Sequence, residues 1–218
     1  MIDPLLLPLG RAAFACYDET IKPTWSARSH VYLTGATNIP GVLDGTPIFS
    51  YEGTASDKDW LINFCALPWA EMQHPEVGLI HLGWHESVVS TFQYLVDYLS
   101  ARNWPPFMVS GHSKGAAEAG LATLEFTLMG HPPLATRLYE PPKFGSILVT
   151  RKLAPYDVRW TQTTNDWGPD KITLVPDGLI WDHLINRVEL IVPNHLDIAE
   201  KHKMPAVLES ISKLAIIP

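Results

Sequence analysis

Residues 109–120 read VSGHSKGAAEAG and contain the pentapeptide GHSKG, in which Ser113 lies between Gly111 and Gly115. The pattern G-x-S-x-G is typical of a nucleophile elbow, a sharp turn between a strand and a helix that presents a reactive serine. The flanking sequence fits that context, because a compact apolar strand (PFMVSG) precedes the serine and an alanine-rich helical run follows it. These neighbours favour Ser113 as a nucleophile over a serine that lies between two glycines by chance.

The small residues of this stretch have a predicted geometric role. Gly111 and Gly115 are expected where a Cβ atom would clash with neighbouring elements. Ala116, Ala117 and Ala119 would keep the first helical turns thin, so that the helix packs close to the strand. The N-terminus of that helix would offer N–H groups and a positive dipole to a developing oxyanion.

Strand and helix patterns alternate along the rest of the chain. Apolar runs that end at glycine or proline predict strands, and apolar residues at helical spacing predict helices. The predicted strands are 30–35, 46–53, 77–83, 106–111, 135–141, 156–164 and 187–193, and the predicted helices are 84–104, 113–130 and 195–215, the last broken near Pro205. This alternation predicts an α/β fold, a mainly parallel central sheet with helices on both faces.

Composition sets the broad class of the protein. The 218 residues are 46% apolar and 18% charged, with a net charge of −7. One domain spanning residues 1–218 is the simplest partition. No cluster of Lys and Arg occurs, so neither nucleic acid nor an anionic polymer is an expected partner.

The sequence also bears on location. The apolar start has an Asp where a leader peptide has basic residues, and prolines interrupt it, so we expect no signal peptide. No apolar run approaches the roughly 18 residues of a transmembrane helix. A cytoplasmic location, or release by lysis, is therefore the expectation.

No cofactor or metal is expected. Cys16 and Cys65 lie in apolar surroundings, which favours two buried free thiols over a disulfide. His81 and His85 have the i, i+4 spacing of a zinc-binding helix, but H-E-x-x-H would need a histidine where Val89 stands. Dinucleotide and Walker fingerprints are absent from the sequence.

A serine nucleophile needs a base and an acid, which follow it in the order Ser, Asp or Glu, His in this kind of fold. Three later histidines are candidates, and His195 is favoured because it follows the apolar run 188–192. His183 lies in an uncertain connection, and His202 falls on a charged helical stretch where a solvated side chain is expected. Asp166 and Asp170 both follow a predicted strand and are both candidates for the acid.

From about Phe49 to about Ile198, ordered blocks of this sequence resemble the class 3 lipase family, the fungal-lipase-like α/β-hydrolases. IFSYEGTASDKDW resembles the family's F-R-G-T-x-S-x-x-D-W, IHLGW its V-H-x-G-F, and the elbow block its G-H-S-L-G-G-A-L-A. LYEPPKFG, DKITLVP and VPNHLDI resemble its later blocks. Glu52, Lys114 and Glu140 depart from the pattern, which indicates a divergent member.

The resemblance implies an α/β-hydrolase fold and a triad of Ser113, Asp170 and His195, with Asp166 as the alternative acid. It also implies an oxyanion hole made by the backbone N–H of Lys114 and by Thr54. In the family a lid lies where residues 63–77 fall here. Leu67, Trp69 and Met72 would form its apolar face, unless the segment is an ordinary packed connection.

The implied function is that of a lipase or carboxylesterase that works through an acyl-enzyme. Its substrate would be a small-molecule or lipid ester, with transient contact to a lipid interface. Two other functions stay open. The same triad could cleave amides or thioesters, or the fold could be a catalytically silent binding module, since Glu52 and Glu140 lie within the site blocks.

Overall fold

The computed structural model describes residues 3–54, 71–165, 168–169, 181–182, 187–191 and 202–214. Within this part of the chain there are five helices: α1 (Leu6–Ala15), α2 (Leu82–Ser100), α3 (Lys114–Leu128), α4 (Ile147–Leu153) and α5 (Met204–Leu214). The strands are β1 (Trp25–Ser26), β2 (His30–Gly35), β3 (Pro47–Tyr51), β4 (Glu71–His74), β5 (Gly78–His81), β6 (Met108–His112), β7 (Ala135–Tyr139), β8 (Gly145–Ser146), β9 (Val158–Asn165), β10 (Gly168–Pro169), β11 (Trp181–Asp182) and β12 (Arg187–Ile191).

The central sheet contains eight strands in the order β1-β2-β3-β6-β7-β9-β10, with β12 also paired to β9. The pairs β3–β6, β6–β7, β7–β9 and β9–β12 are parallel. The pairs β1–β2, β2–β3 and β9–β10 are antiparallel. A mainly parallel sheet confirms the predicted fold class, and each of the seven predicted strands overlaps an observed one.

Helices cover both faces of this sheet because successive strand residues alternate between two apolar cores. In β3, Ile48 belongs to one core and Phe49 to the other, and Met108 and Val109 divide in the same way in β6. Residues of α2, α3 and α4 complete the core around Phe49, and residues of α1 and α5 complete the core around Ile48. The carboxyl ends of β3, β6, β7 and β9 meet at one edge, where ligand sites of open α/β sheets form.

Helix α1 is an element that the sequence analysis did not predict. Its residues Leu6, Leu9 and Ala13 are buried, and a Cβ added to Gly10 would lie 3.0 Å from Leu208 of α5. Pro8 is only its third residue, a position where no intrahelical N–H bond is lost. The apolar start is thus a helix that closes one face of the sheet.

A second, four-stranded sheet has the order β11-β8-β5-β4. It includes residues 71–74 of the segment considered as a lid, and the neighbouring Val77 is buried in the core. Residues 71–74 thus form a strand, whereas Leu67, Trp69 and the side chain of Met72 lie outside what the structure describes. None of the helices described here is long and apolar enough to cross a membrane.

Candidate active site

Ser113 lies at the junction between β6 and α3, as the elbow motif predicts. Its backbone has φ +57° and ψ −126°, a conformation that non-glycine residues rarely adopt. The Ser113 N–H donates to the carbonyl of Tyr139 at the end of β7 over 2.9 Å, which ties the turn to the neighbouring strand. The surrounding sheet therefore maintains a strained turn that would not persist in isolation.

The two glycines of the motif permit this turn by close backbone contact. A Cβ on Gly111 would collide with the backbone of Gly115 and would lie 2.9 Å from the N of Ala116. A Cβ on Gly115 would collide with the Tyr51 carbonyl and would lie 2.6 Å from the carbonyl carbon of Glu52. The elbow thus packs directly against the carboxyl end of β3, as expected for these glycines.

The histidine beside the nucleophile is His202. Its Nε2 lies 2.8 Å from the Ser113 Oγ, and both residues are buried, at 6% and 3% exposure. With the imidazole proton on Nδ1, Nε2 accepts the hydrogen bond of the serine hydroxyl, which is the arrangement a general base needs. A buried serine–histidine pair is uncommon unless it has chemistry to perform.

This position corrects the sequence-based expectation that His202 is solvated. His202 is itself helical, as expected, and lies two residues before the last helix, which begins at Met204, but its side chain is buried against Ser113. The charged neighbours Glu200, Lys201 and Lys203 suggested solvent exposure. The partner that buries the His202 side chain, Ser113, is 89 residues away in the sequence, so no local pattern indicates the contact. His195, predicted as the base, and His183 lie outside the described residues.

His112, inside the motif, contacts the candidate base through its backbone. The His112 Nε2 lies 2.7 Å from the carbonyl oxygen of His202, and the two rings are 4.9 Å apart. The other ring nitrogen, Nδ1, lies 2.6 Å from the hydroxyl of Tyr17. His112 is therefore a structural link between the elbow and the segment that carries His202.

The predicted oxyanion donors lie on the two segments that meet at the elbow. Lys114 is the first residue of α3, so its N–H points out of the helix N-terminus together with the positive end of the helix dipole. Thr54 follows Gly53, where a Cβ would lie 2.6 Å from the carbonyl of His112. The chain thus brings Thr54 to the edge of the sheet where Ser113 lies.

The side chain of Lys114 pairs with Glu118 one turn along α3. The Lys114 Nζ lies 3.1 Å from the Glu118 Oε1, and the carboxylate is completely buried. The contact is an ion pair without good hydrogen-bond angles, and the same region holds the buried hydroxyl of Tyr51. Burial raises the pKa of Glu118 to about 7, although Lys114 opposes the shift.

The two acidic departures from the family pattern have partners away from the nucleophile. Glu52 accepts bonds from the Tyr32 hydroxyl at 3.2 Å and pairs with His30 Nδ1 at 2.7 Å. Glu140 accepts a bond from the backbone N–H of Thr163 in β9 at 2.9 Å. Its φ of +52° lies in the left-handed region, which favours glycine. The side chains of both glutamates therefore link neighbouring strands.

Two histidines near the site have structural positions. His81 is the N-cap of α2, where its Nδ1 accepts the N–H of Trp84 at 3.4 Å and its ring stacks on that of Trp84. His85 contacts Glu125 at 3.0 Å. Among the described residues, no group of three metal-ligating side chains is suited to hold a metal ion.

Other sequence-based assignments fall in undescribed parts of the chain. Asp166 and Asp170, the candidates for the triad acid, flank β10 but lie outside the described residues, as does Cys65. Cys16 is a buried free thiol, as predicted. The hydrogen bond between the neighbouring Tyr17 and His112 is a feature of the site that the sequence analysis missed. No local pattern could predict it, because the two residues are 95 positions apart.

Comparisons with known proteins agree with this geometry. Residues 48–145 match the class 3 lipase family. This range covers the predicted oxyanion segment, the elbow and the LYEPPKFG block, whereas DKITLVP and VPNHLDI lie beyond it. No curated protein matches the chain by sequence.

Solved structures of fungal lipases share the fold. Rhizomucor miehei lipase in its propeptide complex is 16% identical, with a TM-score of 0.59 over 84% of this chain and 66% of its own. The Yarrowia lipolytica LIP2 lipase is 14% identical, with a TM-score of 0.60 over 88% and 81%. The Penicillium cyclopium MDLA protein, as a point mutant, is 18% identical, with a TM-score of 0.63 over 90% and 82%. The chain therefore has the α/β-hydrolase fold and spans somewhat less than two thirds of the Rhizomucor chain.

Proposed function

We propose that this chain, whose residues 48–145 match the class 3 lipase family, hydrolyses carboxylic esters with Ser113 as the nucleophile. The observation that carries the proposal is the 2.8 Å contact between the Ser113 Oγ and the His202 Nε2 inside a nucleophile elbow. Family and fold support lipase-type ester hydrolysis. The contact between Ser113 and His202 supports the roles proposed for these two residues.

The reaction uses the serine and the histidine in turn. His202 takes the hydroxyl proton as the Ser113 Oγ attacks the ester carbonyl, and it then gives that proton to the leaving alcohol. The N–H of Lys114 and Thr54 stabilise the tetrahedral oxyanion, where one such donor is worth about 2.7–4 kcal/mol. Water, deprotonated by His202, then releases the carboxylic acid from the acyl-enzyme.

The acid that orients His202 is proposed to follow β9. Tyr139 at the end of β7 pairs with Thr161, and β9 continues four residues past this level to Asn165. Pro169 of the antiparallel β10 pairs with Thr164, so β10 runs back towards the level of Ser113. This register supports Asp170, which follows Pro169, as the acid that the resemblance implies, and Asp166 stays the alternative.

Substrate class is tested with the same enzyme preparation. We propose an ester of a lipid or small molecule as the substrate, with transient contact to a lipid interface. Rates on p-nitrophenyl butyrate and p-nitrophenyl palmitate distinguish a carboxylesterase from a lipase. A matched thioester and amide test the alternative that the same triad cleaves those bonds.

The alternative of a catalytically silent module lacks support from Glu52 and Glu140, because their carboxylates bind neighbouring strands.

The triad assignment predicts the effects of five substitutions. Ser113→Ala and His202→Gln should each lower kcat on p-nitrophenyl butyrate by roughly four to six orders of magnitude, and Asp170→Asn by about four. His195→Gln and Asp166→Asn are the matched controls and should stay within about threefold of wild type. Loss of activity in His195→Gln with retention in His202→Gln would reverse the assignment of the base.

A fluorophosphonate probe gives an independent readout of the nucleophile. The probe should modify Ser113 in the wild-type protein, and peptide mapping should find no other serine labelled. If the wild-type protein is no more active than Ser113→Ala and the probe labels no residue, the protein is a catalytically silent binding module instead.

A further inference from the structure

The hydroxyl of Tyr17 lies where three segments of the site meet. Tyr17 follows α1, and its hydroxyl oxygen is 2.6 Å from the Nδ1 of His112, with the two rings edge-on at 5.6 Å. A Cβ added to Gly53 would collide with the same hydroxyl. The tyrosine thus contacts both the elbow and the residue before Thr54, although it lies outside the segment that matches the family model.

The hydrogen-bond partners of His112 define where its proton lies. A carbonyl oxygen can only accept, so the 2.7 Å contact to the His202 carbonyl places the His112 proton on Nε2. In the neutral imidazole Nδ1 is then an acceptor, and the Tyr17 hydroxyl donates to it. The tyrosine hydrogen bond therefore selects the tautomer that holds the backbone of His202.

We propose that Tyr17 is a positioning residue for His202. It holds the tautomer and orientation of His112, and His112 in turn holds the carbonyl of His202, so that the His202 Nε2 stays 2.8 Å from the Ser113 Oγ. This inference rests on the proposed function, in which His202 is the base. Tyr17 acts through His112 and takes no part in the proton transfer itself.

The contacts suggest what happens without the hydroxyl. In a Tyr17→Phe variant, His112 loses the donor to Nδ1, so its ring can rotate or carry its proton on Nδ1 instead of Nε2. The His202 carbonyl then loses its donor, and the base samples positions farther from Ser113. Small displacements of a catalytic group lower the chemical rate without weakening substrate binding.

Kinetics test the proposal through a split between kcat and KM. Tyr17→Phe should lower kcat on p-nitrophenyl butyrate by about three- to tenfold with KM unchanged, since one neutral hydrogen bond is lost. His112→Asn should lower kcat at least as much, and the double variant should lose no more than His112→Asn alone. Tyr32→Phe is the matched control, because it also removes a bonded hydroxyl, the donor to Glu52, and it should keep the wild-type kcat.

An NMR measurement tests the effect of Tyr17 on the His112 tautomer without an activity assay. The ¹⁵N shifts of the imidazole nitrogens, assigned by comparison with His112→Asn, should show wild-type His112 as the Nε2–H tautomer. Tyr17→Phe should show a mixture of tautomers or of charge states. A wild-type His112 that is cationic or protonated only on Nδ1 overturns the proposal, and so does a Tyr17→Phe variant with unchanged kcat.

The two arms separate this inference from the proposed function. If ester hydrolysis fails in the wild-type protein, the NMR arm still shows whether Tyr17 selects the tautomer of His112. If hydrolysis depends on Ser113 and His202 but Tyr17→Phe changes only the free energy of unfolding, the proposed function stands and the positioning role is wrong.

Discussion

At the scale of single residues, the carboxylate of Glu118 is the least expected feature near the nucleophile. It is completely buried on α3, one turn beyond Lys114, and neither oxygen accepts a well-directed hydrogen bond from the described residues. Burial raises its pKa to about 7, and the nearby Lys114, Ser87 and His30 reduce that shift without cancelling it. The folded protein therefore favours the protonated form of this acid more than the unfolded chain does.

The raised pKa predicts that Glu118→Gln stabilises the folded protein more at high pH than at low pH. An acid whose pKa is raised on folding contributes stability below its unfolded pKa, and that contribution is lost as pH rises through the folded value. The free energy of unfolding of Glu118→Gln minus that of wild type should therefore increase by about 3 kcal/mol between pH 4.5 and pH 8.5. Chemical denaturation at the two pH values measures it.

A matched acid on the surface provides the control for that measurement. Glu209→Gln removes a carboxylate that is 62% exposed on α5, and its effect should be nearly independent of pH over the same range. A Glu118→Gln benefit that is equal at both pH values would show that the buried carboxylate titrates at its ordinary pKa.

At the scale of elements, the start of α2 depends on a histidine cap. The Nδ1 of His81 accepts the Trp84 N–H, and the His81 ring stacks on the indole at 3.8 Å between centroids. Burial lowers the pKa of His81 to about 4, although a backbone hydrogen bond partly opposes the shift. The cap requires the unprotonated Nδ1, so the helix start and the charge of the histidine are coupled.

The cap predicts a loss of stability in acid. A histidine whose pKa is lowered on folding contributes stability above its unfolded pKa, and this is lost as pH falls from about 6.5 towards 4. His81→Ala should cost about 1 kcal/mol at pH 7, as expected for a lost N-cap. His81→Asn keeps a capping oxygen and does not titrate, so its unfolding free energy should fall less than that of wild type between pH 7 and pH 4.5. Equal losses in the two proteins would contradict this account.

Local patterns predicted most elements but could not identify the long-range contacts. The elbow between β6 and α3 was predictable because strand, glycines and alanines are adjacent in the sequence. His202 was not, because the charged residues around it indicate a solvated helix and its burial depends on Ser113 and His112. Helix α1 was missed because Pro8 suggested an interruption, although first-turn positions tolerate proline.

At the scale of the whole molecule, a buried arginine connects distant parts of the chain. Arg137 lies in the middle of β7 with a side chain 1% exposed, and its Nε lies 2.6 Å from the Oδ2 of Asp3. Its Nη2 lies 2.9 Å from Asp157, immediately before β9. The pattern ATRLY predicted the strand but not the burial of its arginine, because Asp3 is 134 residues away.

This network predicts a large and specific loss of stability in Arg137→Met. The substitution removes the buried partner of the Asp3 carboxylate, which is 4% exposed, and leaves only the 3.7 Å contact from the half-exposed Arg159. Breaking a buried pair from one side typically costs about 3–5 kcal/mol. Arg159→Met is the control, since Arg159 contacts the same two aspartates from a side chain that is 41% exposed, and it should cost less than about 1 kcal/mol. Urea unfolding at pH 7 measures both. A cost in Arg137→Met no larger than that in Arg159→Met would mean that Asp3 is solvated, and that α1 is held to the sheet by its apolar face alone.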